Sequence, residues 1–260
     1  MTVAIIIAAL WMVLAMAILW SRSEKSGVSG EIDGGWALST GIACLIMALW
    51  PGEGWLPEPR QVVVAILSSI WSYRLGRHIF SRNGPAGDDP RYAALRRQWQ
   101  ERASVRMFLF LQSQAVAGLI LAFAVYVVAH RDSGFPDLFD LIGAGVAIFA
   151  LVNEARADAQ LASYRRQKDR APVCEIGWWG RSRHPNYFFE FLFWFGLALM
   201  GVDWRLDELM GLLAFVAPAM MYHLLTKVSG IPPLEEHMLA SRGEAYRDYM
   251  ERVPPFFPKW

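Results

Sequence analysis

Cysteine is nearly absent: Cys44 and Cys174 are the only two, too few for a disulfide framework or a zinc-ligand cluster. Charge of one sign is lacking as well. With 25 basic and 24 acidic residues the formal net charge is +1, which excludes bulk nucleic-acid binding of the kind a basic protein shows. No repeat period, no low-complexity stretch and no G-x-G-x-x-G loop occurs, so a solenoid, a disordered chain and a Rossmann domain are set aside. Charged residues of any sign make up only 19% of the 260 positions, and 55% are apolar. Soluble domains average about 45–50% apolar and about a quarter charged. What the chain has instead is long apolar runs, twelve tryptophans and a positive mean hydropathy of +0.26, a composition that points to a membrane.

Crossing about 30 Å of hydrocarbon at about 1.5 Å per residue takes roughly 17–25 mostly apolar residues. Seven segments are read as spans: residues 2–20, 36 to about 56, 62–80, 107–129, 138–152, 187–202 and 206–225. The first lacks a basic start and a small-residue cleavage pattern and is read as a retained helix. The second meets Trp50-Pro51-Gly52 and is expected to end or bend there. The fifth is short in apolar terms but can continue as helix past Asn153. Short cytoplasmic loops carry an excess of Lys and Arg. The segments after spans one, three and five and the C-terminal tail hold two, six, seven and five basic residues. Only Arg60, Arg131 and Arg205 fall on the opposite side, with Arg74 and Arg77 inside the third span. The expectation is an all-α, polytopic, single-domain protein over residues 1–260 with seven transmembrane helices, the N-terminus outside and the C-terminus cytoplasmic.

Ionisable groups in or beside a hydrocarbon core cost about 2.5–3.5 kcal/mol each on insertion scales and so mark sites or buried pairs. Three regions stand out. Late in the third span, Arg74, Arg77 and His78 share a helical face behind Tyr73, where snorkelling to headgroups is the competing reading. Beyond the fifth span, Asn153, Arg156 and Gln160 form one stripe and Glu154, Asp158 and Arg165 a neighbouring one. Arg165, Arg166, Lys168 and Arg170 lie close together after it. Such a run is an ordinary solvated face, a receptor for phosphate oxygens, or an anionic-lipid patch. The third region is Gly177-Trp-Trp-Gly-Arg181-Ser182-Arg183-His184-Pro185-Asn186-Tyr187-Phe-Phe-Glu190. Pro185 disfavours helix at His184 and fits a first helical turn, so Asn186, Tyr187 and Glu190 sit at a helix start that favours anions.

Arg-His-Pro-Asn-Tyr at 183–187, the polar helix around Asp158, Val228-Ser-Gly-Ile-Pro-Pro-Leu-Glu-Glu, Tyr246-Arg-Asp-Tyr249 and the closing Pro-Pro-Phe-Phe-Pro together resemble the steroid 5-alpha-reductase family, particularly its bacterial branch. The likeness is strongest over residues 150–260; toward the N-terminus it rests on Asp33-Gly-Gly-Trp36 and the Tyr73 region. The resemblance implies a seven-helix membrane oxidoreductase that uses NADPH to reduce the C4–C5 double bond of a 3-oxo-Δ4 steroid, with hydride reaching C5 and a proton C4. It implies cofactor contacts from Asp158, Arg165, Arg181, Asn186, Glu190 and Tyr246, with Arg166, Arg170, Arg183, His184, Tyr187, His237 and Tyr249 around them. It also implies a tyrosine paired with a carboxylate to polarise the 3-oxo group. Tyr73 matches the tyrosine; Asp33 matches the acid, with Glu31 and Glu53 behind it, although the local sequence departs from the eukaryotic Gln-Glu pattern. On this reading helices one to four form a pocket for a steroid or sterol-like lipid entering from the bilayer, and residues 150–260 bind the cofactor. No metal and no nucleic acid is expected, and the location is a bacterial inner membrane with the cofactor on the cytoplasmic side.

Two other readings fit parts of the pattern. Membrane methyltransferases of the isoprenylcysteine or phospholipid type share the Arg-His-Pro-x-Tyr signature loosely, but S-adenosylmethionine has no phosphate for the arginines to meet. A non-catalytic protein holding anionic lipid would need only the basic charge.

Overall fold

The computed structural model describes residues 1–52, 54, 56–83, 89–203 and 209–259. Among them the chain is all-helical, in the order α1 (Thr2–Ser26), α2 (Ile32–Ala48), α3 (Pro59–Asn83), α4 (Pro90–Trp99), α5 (Ala103–Ala129), α6 (Leu138–Arg166), α7 (Pro185–Leu199), α8 (Val216–His223), α9 (Ile231–Arg242) and α10 (Glu244–Arg252). Four helical stretches are long and apolar enough to cross a membrane: Thr2–Ser26, Arg91–Ala129, Leu138–Arg166 and Met210–Arg242. The chain divides into two compact units, residues 1–136 with 205–214 and residues 137–204 with 215–260.

In the first unit the tryptophans tie helices together. Trp11 donates its indole N–H to the Ser39 carbonyl at 2.9 Å, Trp36 to Gln114 at 2.9 Å and Trp20 to Ser104 at 3.1 Å. A buried indole N–H needs such a partner where no water reaches. Helices α2 and α3 come close where side chains are small: Ser72 Oγ donates to the Ala37 carbonyl at 2.9 Å, and a Cβ on Gly41 would lie 2.0 Å from Ser72 Oγ. The outward faces are apolar. Ile6, Leu10, Val13 and Leu14 of α1 and Val62, Ile66 and Ile70 of α3 are all exposed, at the three-to-four-residue spacing of one helical face, as lipid contact requires.

The expected end of the second span is observed. Helix α2 stops at Ala48, and Gln61 Nε2 donates to the freed carbonyls of Ala48 and Trp50 at 2.9 and 3.0 Å. Beside it Arg60, 2% exposed, holds the carbonyls of Arg131 at 2.6 Å, Ser133 at 3.2 Å and Gly134 at 3.0 Å.

In the second unit α6 and α7 pack backbone to backbone. A Cβ on Gly196 would sit 2.6 Å from the Ala147 nitrogen and 2.8 Å from the Gly143 carbonyl, so glycine is required at this crossing. Helix α6 does continue past Asn153, to Arg166. The stretch expected as a last span begins, at 206–208, outside the described residues. Its remainder is broken rather than one α-helix: a 3₁₀ turn (Leu209–Phe215), α8, and a π segment (Leu224–Val228) succeed one another. At the end of the π segment Ser229 N–H bonds the Leu224 carbonyl at 2.9 Å. A Cβ on Gly230 would lie 2.3 Å from the Leu225 carbonyl, so the wide turn closes only on glycine, and Pro232 and Pro233 start the next helix.

Candidate acid and cofactor sites

Asp33 lies in the first turn of α2. Its Oδ1 accepts from the Tyr92 hydroxyl at 2.5 Å and its Oδ2 from Arg91 Nη2 at 2.5 Å. The Tyr92 side chain is buried, and its oxygen also receives Gln114 Nε2 at 3.0 Å. Local sequence builds this cluster. Asp89 caps α4 by accepting from Arg91 N–H at 2.9 Å, Pro90 takes the first helical position, and Arg91 returns to Asp89 through Nε at 3.0 Å and Nη2 at 2.7 Å. One short helix thereby delivers a guanidinium and a phenol to the same carboxylate.

The structure thus gives Asp33 a tyrosine, but that tyrosine is Tyr92. Tyr73 continues the outward stripe of Val62, Ile66 and Ile70 and is 66% exposed, the position of an interfacial anchor. Depth in an apolar run favours Tyr73 in the sequence. The competing signal is Asp89-Pro90-Arg91-Tyr92, a helix start that aims two side chains from outside the spans. Glu31 pairs with Arg22 at 3.0 Å in an exposed contact, and Glu53 lies outside the described residues. An apolar groove of about 410 Å³ lined by Leu45, Val62, Ala65, Ile66 and Ile70 adjoins the far end of α2 from Asp33.

In the second unit the segment after α6 folds back along it. The polar stripe of α6 is what clasps it: Trp178 Nε1 meets Asn153 Oδ1 at 3.3 Å, Trp178 N–H meets Gln160 Oε1 at 3.0 Å, and Trp179 Nε1 donates to the Ala157 carbonyl at 2.8 Å. Arg156 Nη1 also reaches Asn153 Oδ1, at 3.5 Å. The turn needs Gly177, at φ 60, because a Cβ there would lie 2.3 Å from Gln160 Nε2. From the other side the C-terminal tail runs along residues 181–183: Arg183 N–H bonds the Pro254 carbonyl at 2.9 Å, Ser182 Oγ bonds Phe256 at 2.8 Å, and Lys259 N–H bonds Arg181 at 2.9 Å. Arg252 forks onto Glu175 with two 2.8 Å bonds, a pairing that holds the Glu175 carboxyl below its usual range.

The residues expected to hold a cofactor separate into two groups here. Arg183 is 7% exposed; its Nε bonds Glu235 at 2.7 Å and its Nη1 the carbonyls of Met250 and Val253 at 3.0 and 2.6 Å. His184 Nε2 shares the same Glu235 oxygen at 3.0 Å. Burial pushes the His184 imidazole below its ordinary range, against the pull of Glu235. Tyr249 donates to the Trp179 carbonyl at 2.5 Å, and Tyr246 packs with it against Val173 and Val253; burial raises both phenols. Glu190 is buried and accepts Trp194 Nε1 at 3.0 Å. These side chains bind the protein to itself.

The second group faces outward. Arg165, Arg166, Arg170 and Arg181 are exposed, and Asp158, Asn186 and Tyr187 are half-buried. Arg170 Nη1 braces the Arg165 carbonyl at 2.6 Å and its guanidinium lies 5.8 Å from the Tyr164 ring; Arg181 lies 5.4 Å over Trp178. Tyr187 stacks on His184 at the start of α7. The buried His184 Nδ1 makes no hydrogen bond. His237 is exposed on α9. Cations with aromatic backing beside a helix start make a surface suited to phosphate groups.

No solved structure matches the chain. It is similar to an uncharacterized protein of Schizosaccharomyces pombe, 22% identical over a gapped alignment of 276 positions that takes in 93% of this chain and 76% of the relative. Residues 18–253 match the family described as "Protein of unknown function (DUF1295)", and the chain belongs to that family.

Proposed function

We propose that the protein is an NADPH-dependent membrane reductase acting on a double bond conjugated to a carbonyl in a sterol-like lipid, with a 3-oxo-Δ4 steroid as the substrate implied by the steroid 5-alpha-reductase resemblance. The observation that carries this reading is the outward set of Arg165 and Arg166 in the last turn of α6 with Arg170 and Arg181 on the segment clasped to it, ahead of the half-buried Asn186. Its donors suit a cofactor with several phosphates. The arginines would hold the phosphates, and Asp158 and Asn186 would orient ribose or amide groups. When bound, the cofactor supplies the hydride.

On the first unit, Tyr92 takes the role expected of Tyr73. Arg91 holds Asp33 in place, and Asp33 orients the Tyr92 proton. A carbonyl oxygen reaching Tyr92 competes with Asp33 for that proton and is stabilised as enolate charge develops. On this reading the chain crosses a bacterial inner membrane seven times, with the N-terminus outside and the cofactor face cytoplasmic. The sorting of basic residues among the loops supports that orientation.

The test is purification in detergent and measurement of NADPH against S-adenosylmethionine binding, followed by steroid-dependent loss of absorbance at the nicotinamide band. NADPH binding and steroid-dependent oxidation are the expected results. Binding of S-adenosylmethionine without NADPH would replace this reading with the methyltransferase one, since Arg183 and His184 of the shared signature are committed to Glu235 and do not discriminate. Tyr92→Phe is expected to abolish turnover with NADPH affinity unchanged, and Tyr73→Phe to leave turnover near normal; the reverse pattern returns the acid role to Tyr73.

A further inference from the structure

The junction of α4 and α5 carries five arginines, and the structure pairs two of them. Arg91 is held by Asp33 and Asp89, and Arg96 by Glu24 at 2.7 Å and Ser23 Oγ at 3.1 Å. Arg97, in the last turn of α4, Arg102, in the 3₁₀ turn, and Arg106, in the first turns of α5, are exposed. Among the described residues none of these three forms an ion pair. Glu101 is the one carboxylate on the 97–106 segment. Arg102 and Arg106 are four residues apart and so share a helical face.

Position decides what this charge is for. The apolar part of α5 begins at Met107, so the three arginines stand where a span leaves hydrocarbon. Aromatic rings form a collar at the same level. Trp20 donates to the Ser104 carbonyl and its ring meets Phe108 edge-on at 5.3 Å; Trp99 packs against Phe110 at 6.2 Å. Tryptophan at the headgroup level beside uncompensated arginine is the pattern of a lipid-facing interface.

We propose that Arg97, Arg102 and Arg106 form a binding site for the phosphate of an anionic phospholipid, with Trp20 and Trp99 bordering its glycerol backbone. The guanidinium forks meet phosphate oxygens, and the acyl chains lie along the exposed Val105 and Leu109 of α5. The site is independent of the reductase reading.

The experiment is native mass spectrometry of the whole protein taken from vesicles of equal phosphatidylglycerol and phosphatidylcholine. Wild-type protein is expected to retain phosphatidylglycerol in preference. Each arginine near a membrane surface contributes about fivefold to anionic-lipid affinity, so Arg97→Gln, Arg102→Gln and Arg106→Gln each lower retention by about that factor, and the triple variant abolishes the preference. Lys227→Gln with Arg242→Gln, which removes two exposed cations elsewhere, leaves it unchanged. Melting in phosphatidylcholine alone checks that the variants fold, and the single variants carry the test if the triple does not. Equal retention of both lipids by wild type, or the same preference in every folded arginine variant, overturns the proposal.

Discussion

Arg183 stands in the segment that resembles a cofactor motif, yet its surroundings predict that its loss is felt first in stability. Replacing it with Met keeps the apolar stem and removes the guanidinium. Glu235, 14% exposed, then loses its cation and keeps His184 and Tyr246 as partners, and the Met250 and Val253 carbonyls lose their 3.0 and 2.6 Å donor. Breaking a buried pair from one side costs about 3–5 kcal/mol because the remaining charge loses its counter-ion. At about 2–4 °C per kcal/mol for a chain of this size class, the apparent melting temperature falls by about 6–20 °C. Adding Glu235→Leu removes the stranded carboxylate, so the double variant recovers part of the loss, and the two changes are strongly non-additive. The assay is thermal unfolding of wild type, both single variants and the double variant in one detergent, with NADPH titration of each folded sample. Arg181→Ala serves as contrast: that side chain is exposed, so its loss is expected to leave melting nearly unchanged and, on the proposed reductase reading, to weaken NADPH binding. An Arg183→Met protein that melts like wild type while losing NADPH affinity would refute the assignment of Arg183 to internal packing.

Three further outcomes rest on the same geometry. Gly196→Ala places a Cβ 2.6 Å from the Ala147 nitrogen; neither backbone can yield cheaply, so stability drops by about 1–3 kcal/mol, and unchanged melting would mean that the two helices can separate freely. The folded-state pKa of His184 is below the ordinary 6.5, so the native state favours the neutral ring. That contribution is fully present above about pH 6.5 and lost as pH falls toward the folded value; melting should decline from pH 7 to 5 more steeply in wild type than in His184→Asn, and parallel profiles would contradict it. Asn186→Ala should weaken NADPH binding with little change in melting, because the side chain is half-buried; an unchanged dissociation constant would remove Asn186 from the cofactor surface.

Several features were readable from the residues alone because their causes are local. The end of α2 before Pro51 comes from a missing backbone donor, and the start of α7 at Pro185 from a preset φ. The continuation of α6 beyond Asn153 comes from unbroken helix formers and the absence of Gly or Pro before Gln167. The apolar runs are equally local, since hydrophobicity sums along the chain, and four of the helical stretches are long and apolar enough to span. Arginine content and the helix start at Asn186 could likewise be recognised without knowing any contact.

Partnership could not. Whether an arginine is locked inside the protein or turned outward depends on which acceptor, distant in sequence, the chain brings to it. Arg183 and Arg181, two positions apart, differ in this way: one is buried on Glu235, the other exposed over Trp178. Glu235 lies 52 residues from Arg183 and the Val253 carbonyl 70; no periodicity links them. Asp33 meets Tyr92 across 59 residues because the capped start of the ten-residue α4 brings that side chain to the first turn of α2, whereas Tyr73, attractive for its depth in an apolar run, rotates outward by the 3.6-residue period of its own helix. Where helices form, where they stop and which chemistry the chain carries are sums over neighbours along the chain, and so are legible before folding. The assignment of each carboxylate, guanidinium and phenol to its partner depends on contacts made across 50 residues or more, and those exist only once the helices have packed.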